Sequence, residues 1–267
     1  MTSRDRGSTN SEFWSQVAKG RDDTHAGVFE PVWTAALDEL GVGARTRVLD
    51  AGCGSGMATA LAVTRGARAY GMDAAEAMIE IAKTRVPEAA FEHCDMESLS
   101  FETGFFDGAM AINSLHFTVN PQLALRELVR VCAKGGQVAI ACLGPREDHN
   151  FEAPIKAMLS LVPTDRKSEP AFVDPFRLSA VGVLEMMFAE AGLDDVHDRY
   201  VECPVIYDNL ERACESMRNV ALYPAACQVV ARDVLDAALT RSLEPYVVES
   251  GMVVWRATHR LVIGRKH

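Results

Sequence analysis

The residues best suited to chemistry gather in one run, Arg47-Val48-Leu49-Asp50-Ala51-Gly52-Cys53-Gly54-Ser55-Gly56, an apolar strand entering a glycine turn. Glycines let such a turn bend sharply and admit a ligand against the backbone, at the strand ends where α/β sheets hold nucleotides. The spacing is G-x-G-x-G, with Met57 breaking the dinucleotide pattern G-x-G-x-x-G. No Gly-Lys-Ser/Thr follows, which excludes a P-loop. Seventeen positions after Gly56, Asp73 closes Tyr70-Gly71-Met72-Asp73, where a carboxylate can accept both hydroxyl hydrogens of a ribose. Asp95, in His93-Cys94-Asp95-Met96, is placed to accept from an adenine amine while Met96 adds a backbone donor and an apolar wall. Singly, each has a plainer role: Asp50 can cap the loop amides, Asp95 a turn, and Met78 can be core. As an ordered set of strand-end acids they mark an adenosine site.

Such a site needs strands delivered side by side. Short apolar runs alternating with stretches of helical period predict βαβ units and a parallel sheet. Strands are expected at 47–50, 67–73, 90–95, 106–112 and 137–143. Helices are expected at 56–65, 75–85 and 121–133, the last stopped by Lys134-Gly135-Gly136. Ahead of them, 12–40 carries Phe13, Trp14 and Val17, then apolar residues at helical spacing from Val28 to Leu40. Behind them, 145–175 reads as an insertion around an amphipathic piece at 153–161. A helix at 179–191 stopped by Gly192, a strand at 196–206, helices at 209–222 and 225–243 and a strand at 253–263 complete the pattern. The expected organisation is a single domain over 1–267: a helical segment at 1–40, a binding core at 41–144, and substrate-lid insertions at 145–180 and 207–245. The ends, 1–11 and 265–267, are expected to fray.

Together these features resemble the class I S-adenosylmethionine-dependent methyltransferases over residues 47–143. The acid-x-G-x-G-x-G loop at Asp50 to Gly56, the ribose acid Asp73 and the adenine-side pair Asp95 and Met96 carry the likeness. So do the fourth-strand pattern from Phe106-Asp107 to Asn113 and the Leu125-Arg126-Glu127 to Gly135-Gly136 helix and turn. Outside that stretch the likeness is one of layout. It implies a doubly wound, seven-stranded, mostly parallel α/β sheet with the last strand antiparallel, completed by 196–206 and 253–263. It also implies S-adenosyl-L-methionine as cofactor and S-adenosyl-L-homocysteine as product. Trp14, Asp50, Gly52, Cys53, Gly54, Gly56, Met72, Asp73, Met78, Asp95, Met96 and Asn113 would hold that cofactor. Trp14, with Phe13, would close over it or simply pack a helix.

A sulfonium is already an activated electrophile, so the protein has to align a nucleophile, exclude water and, for some nucleophiles, remove a proton. The segment Asn113-Ser114-Leu115-His116-Phe117 follows the fourth strand, where this family faces the transferring methyl. His116 is the candidate general base, since an imidazole with pKa about 6.5 accepts protons near neutrality; its other reading is a pocket wall. His25 and His149 rank below it, and His93, Cys94 and Cys53 read as structural. Phe13, His116, Phe117, His149, Phe151, Phe176 and Tyr207 are the expected substrate contacts. Met186 and Met187 are lid wall or, by helical spacing, core, and Arg177 pairs a substrate acid or a surface carboxylate. The expected reaction is methyl transfer to oxygen or carbon, less readily nitrogen, of a small, largely apolar metabolite. A protein that binds the cofactor without methylating, as structural partner or rearrangement catalyst, is the alternative. A nicotinamide-dependent oxidoreductase fits the glycine spacing poorly.

Composition bounds the rest. With 48% hydrophobic and 24% charged residues, 267 residues can build one large core. A formal charge of −10 disfavours nucleic acid as partner. Seven scattered cysteines, never C-x-x-C, suggest reduced thiols and neither disulfides nor a metal site. No stretch approaches the roughly 18 apolar residues of a membrane span, and residues 1–10 are polar. The expectation is a cytoplasmic monomer or homodimer with a small-molecule substrate.

Overall fold

The computed structural model describes residues 3–25 and 27–267, so Met1, Thr2 and Ala26 lie outside it, as do the side chains of residues 3–10, His25 and Pro170. A helical segment, α1 (Ser3–His25) and α2 (Glu30–Glu39), precedes the sheet. Then come β1 (Arg47–Ala51), α3 (Met57–Thr64), β2 (Arg68–Asp73), α4 (Glu76–Arg85), β3 (Ala90–His93), β4 (Phe106–Ile112), α5 (Pro121–Val131) and β5 (Cys132–Leu143). After α6 (Glu152–Leu161) and α7 (Val183–Glu190), β6 (Leu193–Glu202) runs into β7 (Val205–Tyr207). Finally α8 (Leu210–Arg218), α9 (Leu222–Ala226) and α10 (Arg232–Leu243) lead to β8 (Val253–Trp255) and β9 (Thr258–Lys266).

Seven strands form one sheet in the order β3-β2-β1-β4-β5-β9-β6, with β9 antiparallel to both of its neighbours. Because the chain winds one way from β1 to β3 and the other way from β4, the order reverses between β1 and β4. A crevice therefore opens beyond their carboxyl ends. The strands are apolar on both faces, as parallel strands covered by helices must be. Leu49, Ala109 and Ile140 pack into the cluster under α5 and α7, and Val48, Met110 and Ala139 into the one under α2 and α3. Pro121 opens α5 and the Asn120 side chain accepts from Leu123 N at 3.1 Å, capping it.

The expected core strands and helices are present, and several boundaries move for local reasons. The 196–206 segment is two strands, because Pro204 has no N–H to continue the ladder. β7 leaves the main sheet to pair with β8 in a separate ribbon, and 253–263 divides correspondingly into β8 and β9. Helix α5 stops at Val131 because Cys132 already pairs with Phe106; Gly135, at φ 77°, bends β5 instead of ending a helix. α7 begins only at Val183, behind Gly182, whose N–H donates to Glu185 Oε2 at 3.0 Å. Three helices, not two, fill 209–243. The chain is helical from Ser3, with Met1 and Thr2 of the expected frayed end outside the described residues, and remains in β9 to Lys266, whose ammonium donates to Val129 O and Cys132 O at 2.7 Å.

A third apolar cluster lies off the sheet and unites Phe13, Met158, Tyr207, Met217, Leu239 and Trp255. The lid thus draws on α1, α6, α8 to α10 and the β7–β8 ribbon, a wider span than 145–180 plus 207–245. Among the described residues no helix is long and apolar enough to cross a membrane, and no cluster of side chains could hold a metal ion.

Candidate active site

A cleft of about 600 Å³ opens at the ends of β1, β2 and β4, a size ordinary for small-molecule sites. Its floor is the glycine turn, tied to β2 by Gly52 N and Cys53 N, which donate to Met72 O at 2.8 and 2.9 Å. Gly52 has φ 74°, and a Cβ there would stand 2.3 Å from Ser114 Cβ, whose hydroxyl donates to Ala51 O at 2.7 Å. Gly52→Ala is expected to cost about 3 kcal/mol of stability, the left-handed penalty plus overpacking. A denaturant titration checks it, and an unchanged midpoint would mean that the turn yields freely. Over Gly54, by contrast, a Cβ would meet nothing within 4 Å: the backbone here faces open space. Gly56 begins α3, packs on Ala82 and does not border the cleft.

The three acids occupy different depths. Asp73 borders the cleft and accepts from Gly54 N at 2.9 Å and Ala75 N at 2.8 Å, so it fixes the turn while keeping lone pairs for a ligand. Burial raises its pKa against those hydrogen bonds. Asp50 is 3% exposed, accepts the Thr59 hydroxyl at 2.7 Å, and is pushed up to about 6 by burial and secondarily by the Asp73 charge. Asp95 lies beyond the end of β3, exposed on the cleft rim, and accepts from Glu97 N at 2.9 Å in a side-chain turn. Cys53, Met72, Met78 and Met96 line the walls.

Asn113 stands at the centre. It has φ 54°, unusual for a residue with a side chain, and both polar atoms of its amide are buried without a hydrogen-bond partner. An orphaned buried amide costs about 1–3 kcal/mol, which a bound ligand can recover. Overhead runs α1. Trp14 meets Phe117 edge-on at 5.0 Å, and the Arg21 guanidinium lies 4.9 Å from the Trp14 ring. Arg85 of α4 donates to Asp22 Oδ2 and to Ser55 O, each at 2.6 Å, clasping α1 to the glycine turn. Sequence reasoning missed Arg21, Asp22 and Arg85; Arg21 lies seven residues after Trp14, two helical turns along one face, which was its available signal.

Behind Asn113 is a second chamber of about 80 Å³, and Trp14, Arg21, Phe29, Asn113 and Phe117 border both spaces. His116, His149, Phe151, Tyr207, Leu222 and Trp255 line it; among the described residues no carboxylate does. Phe13 is buried in the lid core and Phe176 stands behind His149, 5.5 Å ring to ring, so neither borders the chamber. Arg177 donates to Thr118 O. His116 is 2% exposed, its Nδ1 has no partner, and burial, then the Arg177 and Arg21 charges, lower its pKa to about 3. Burial holds His149 at about 4. A third imidazole, His259 of β9, was missed by sequence reasoning. It is fully buried, 5.8 Å from His149 ring to ring, and lowered to about 3 by burial and then by His149 and His116.

A doubly wound sheet with this strand order and an acid-flanked glycine turn is the arrangement of class I, Rossmann-like methyltransferases, and residues 49–140 match the family described as a methyltransferase domain. Among curated relatives, the biotin biosynthesis bifunctional protein BioHC of Cellvibrio japonicus is 35% identical over 46% of this chain and 25% of its own length. The ubiquinone biosynthesis O-methyltransferase of Dechloromonas aromatica is 28% identical over 50% of this chain and 60% of its own. The chain thus spans less than two thirds of either. Among solved structures, the YcgJ protein of Bacillus subtilis shares the fold with a TM-score of 0.61 and 21% identity, covering 88% of this chain and 97% of that one.

The residues present fit S-adenosylmethionine: open space over Gly54, a ribose-side acceptor in Asp73, methionine walls and the unpartnered Asn113 amide. The acidic cleft residues Asp22, Asp50, Asp73, Asp95 and Glu97 suit a sulfonium cation.

Proposed function

We propose that the chain transfers a methyl group from S-adenosylmethionine to an oxygen or carbon, less readily a nitrogen, of a small, largely apolar metabolite in the cytoplasm. One observation carries the reading: an acid-lined cleft suited to the cofactor shares a wall, at Trp14, Asn113 and Phe117, with a small apolar chamber suited to an acceptor. The acidic exterior and the absence of a basic stripe count against nucleic acid. When bound, the cofactor supplies an electrophilic methyl on sulfur and departs as S-adenosylhomocysteine.

The remaining work falls to this chain. Asp73, with Met72 and Met78, holds the nucleoside; Asp95 and Met96 meet its base; Gly52, Cys53 and Gly54 give it a close floor. Asn113 aligns the reacting groups at the shared wall, and Trp14 with Phe117 excludes water there. His116 remains neutral at pH 7 and so offers an unprotonated nitrogen, though a weakly basic one. Such a group receives a proton late, once the new bond has made the acceptor's O–H strongly acidic, which favours phenols and enols over plain alcohols. A relative named for O-methylation agrees with an oxygen acceptor.

His116→Ala is expected to lower kcat about a hundredfold, within the span of general acid–base effects, and to leave S-adenosylhomocysteine affinity unchanged. Lost affinity would instead make it a cofactor wall. Incubating the protein with methyl-labelled cofactor and fractionated cell extract tests the whole reading. Label is expected in the small-molecule fraction; label in RNA or protein, or no homocysteine product with any fraction, overturns it.

A further inference from the structure

The apolar chamber is bordered by residues whose polar atoms have no partner. Trp255 is 3% exposed with its Nε1–H unpaired, and His149 is 5% exposed with Nε2 unpaired. Both side chains belong to segments that run together: Asn150 N donates to Arg256 O at 2.9 Å and Arg256 N to Asn150 Oδ1 at 2.6 Å. Their hydrogen-bonding sense is fixed. Indole nitrogen only donates. In His149 the Phe151 N–H donates to Nδ1 at 3.3 Å, which places the ring proton on Nε2 and makes that nitrogen a donor as well. Among the described residues no Asp or Glu borders the chamber, and the one formally charged side chain there is Arg21, which contacts no carboxylate although the Asp73 charge acts on it.

Apart from Asn113 and His116, whose unpartnered atoms are assigned above to the transfer itself, two buried N–H donors from neighbouring segments, a cation with no carboxylate in contact and no anion in the described lining point one way: the missing partner accepts hydrogen bonds and is not cationic. A hydrocarbon would leave both donors unsatisfied, at about 1–3 kcal/mol each, and an amine cation would face Arg21 without a counter-charge. We infer that the acceptor molecule is a carbonyl compound, a ketone, ester or carboxylate on an apolar body, whose oxygen is read by Trp255 and His149. This assignment rests on the methyl-transfer reading of the same site and narrows its substrate class. It makes Trp255 and His149 specificity residues at the chamber end of the site.

Four probes of one size test it on the full chain saturated with S-adenosylhomocysteine: acetophenone, benzoate, ethylbenzene and benzylamine, each titrated by ligand-observed NMR. Acetophenone or benzoate should bind at least fivefold more tightly than ethylbenzene, and benzylamine most weakly; the tighter of the first two tells a neutral carbonyl from a carboxylate. Trp255→Phe should erase the advantage over ethylbenzene while keeping S-adenosylhomocysteine affinity and the thermal midpoint. His149→Gln, which retains an N–H donor, should keep more of the advantage than His149→Phe. Equal binding of acetophenone, benzoate and ethylbenzene, or preference for benzylamine, overturns the inference. Failure of the wild-type chain to bind S-adenosylhomocysteine would overturn the parent reading instead, so the two failures are separable.

Discussion

Asp73→Ala should lower the affinity for S-adenosylhomocysteine by about 3 kcal/mol, two orders of magnitude, in a calorimetric titration. The size follows from a double duty. The carboxylate is the strand-end acceptor for the ribose, and it also holds Gly54 N at 2.9 Å and Ala75 N at 2.8 Å. Alanine removes the ligand contact and releases the glycine turn together. Asp73→Asn is the milder change: Gly54 N and Ala75 N bind different carboxylate oxygens, so the one amide oxygen keeps a single backbone N–H while its nitrogen accepts neither the other nor a ribose hydroxyl. It should lose less of the thermal midpoint than alanine does and still lose most of the affinity. An alanine variant that binds as tightly as the parent would move the nucleoside away from the end of β2.

The second large effect is on stability in mild acid. His116, His149 and His259 are lowered from 6.5 to about 3, 4 and 3, chiefly by burial. A depressed folded-state pKa gives stability that is full above the unfolded value and lost as pH falls towards the folded one. Below pH 6.5 the unfolded chain binds up to three protons that the folded chain refuses, a slope of about 4 kcal/mol per pH unit. Asp50 acts in the opposite sense. Its raised pKa, about 6, gives stability that is full below the unfolded value of 3.8 and lost as pH rises through 6, so near pH 5 it offsets about 1 kcal/mol per unit. The remainder is enough to exhaust a typical margin of about 5–15 kcal/mol within a few pH units. Denaturant midpoints at pH 7.5, 6.5 and 5.5 should fall progressively faster, and His116→Gln, His149→Gln and His259→Gln combined should flatten the profile. A wild-type midpoint constant over that range would show the imidazoles protonating in place.

The strand-end side of the cleft was legible in the sequence because its geometry is local to the backbone. Asp50, the glycines, Asp73 and Met96 are placed by the ends of β1 to β3, and once those strands are recognised their positions follow. Even there depth was hidden: nothing in the order of residues told that Asp50 turns to Thr59 or that Gly56 packs on Ala82. The acceptor side was legible only in part, because Trp14, His149, Tyr207 and Trp255 converge through lid packing across some 240 positions of chain. Phe13 and Phe176 were offered as substrate contacts, but α1 and α6 packing on α8 to α10 buries Phe13 in the off-sheet core, and Phe176 stands against His149. His259 was invisible because β9, buried along nearly its whole length, gives no hint that its one imidazole lies near two others. Pro204 did carry a signal for the break between β6 and β7, outweighed by the apolar residues on either side.

Cys203 N donates to Ala257 O at 2.7 Å, closing the base of everything between β6 and β9. The polypeptide departs from the sheet and rejoins it through a single gate, and the β7–β8 ribbon and three helices hang beyond that gate around an apolar nucleus that they share with α1 and α6. Such an arrangement could be exchanged as a cassette wherever the faces of α1 and α6 beneath it are matched. Transplanting residues 204–256 from a homologue of different preference would redirect which compounds are accepted while the nucleoside grip, built wholly from the other side of the gate, stays as it is.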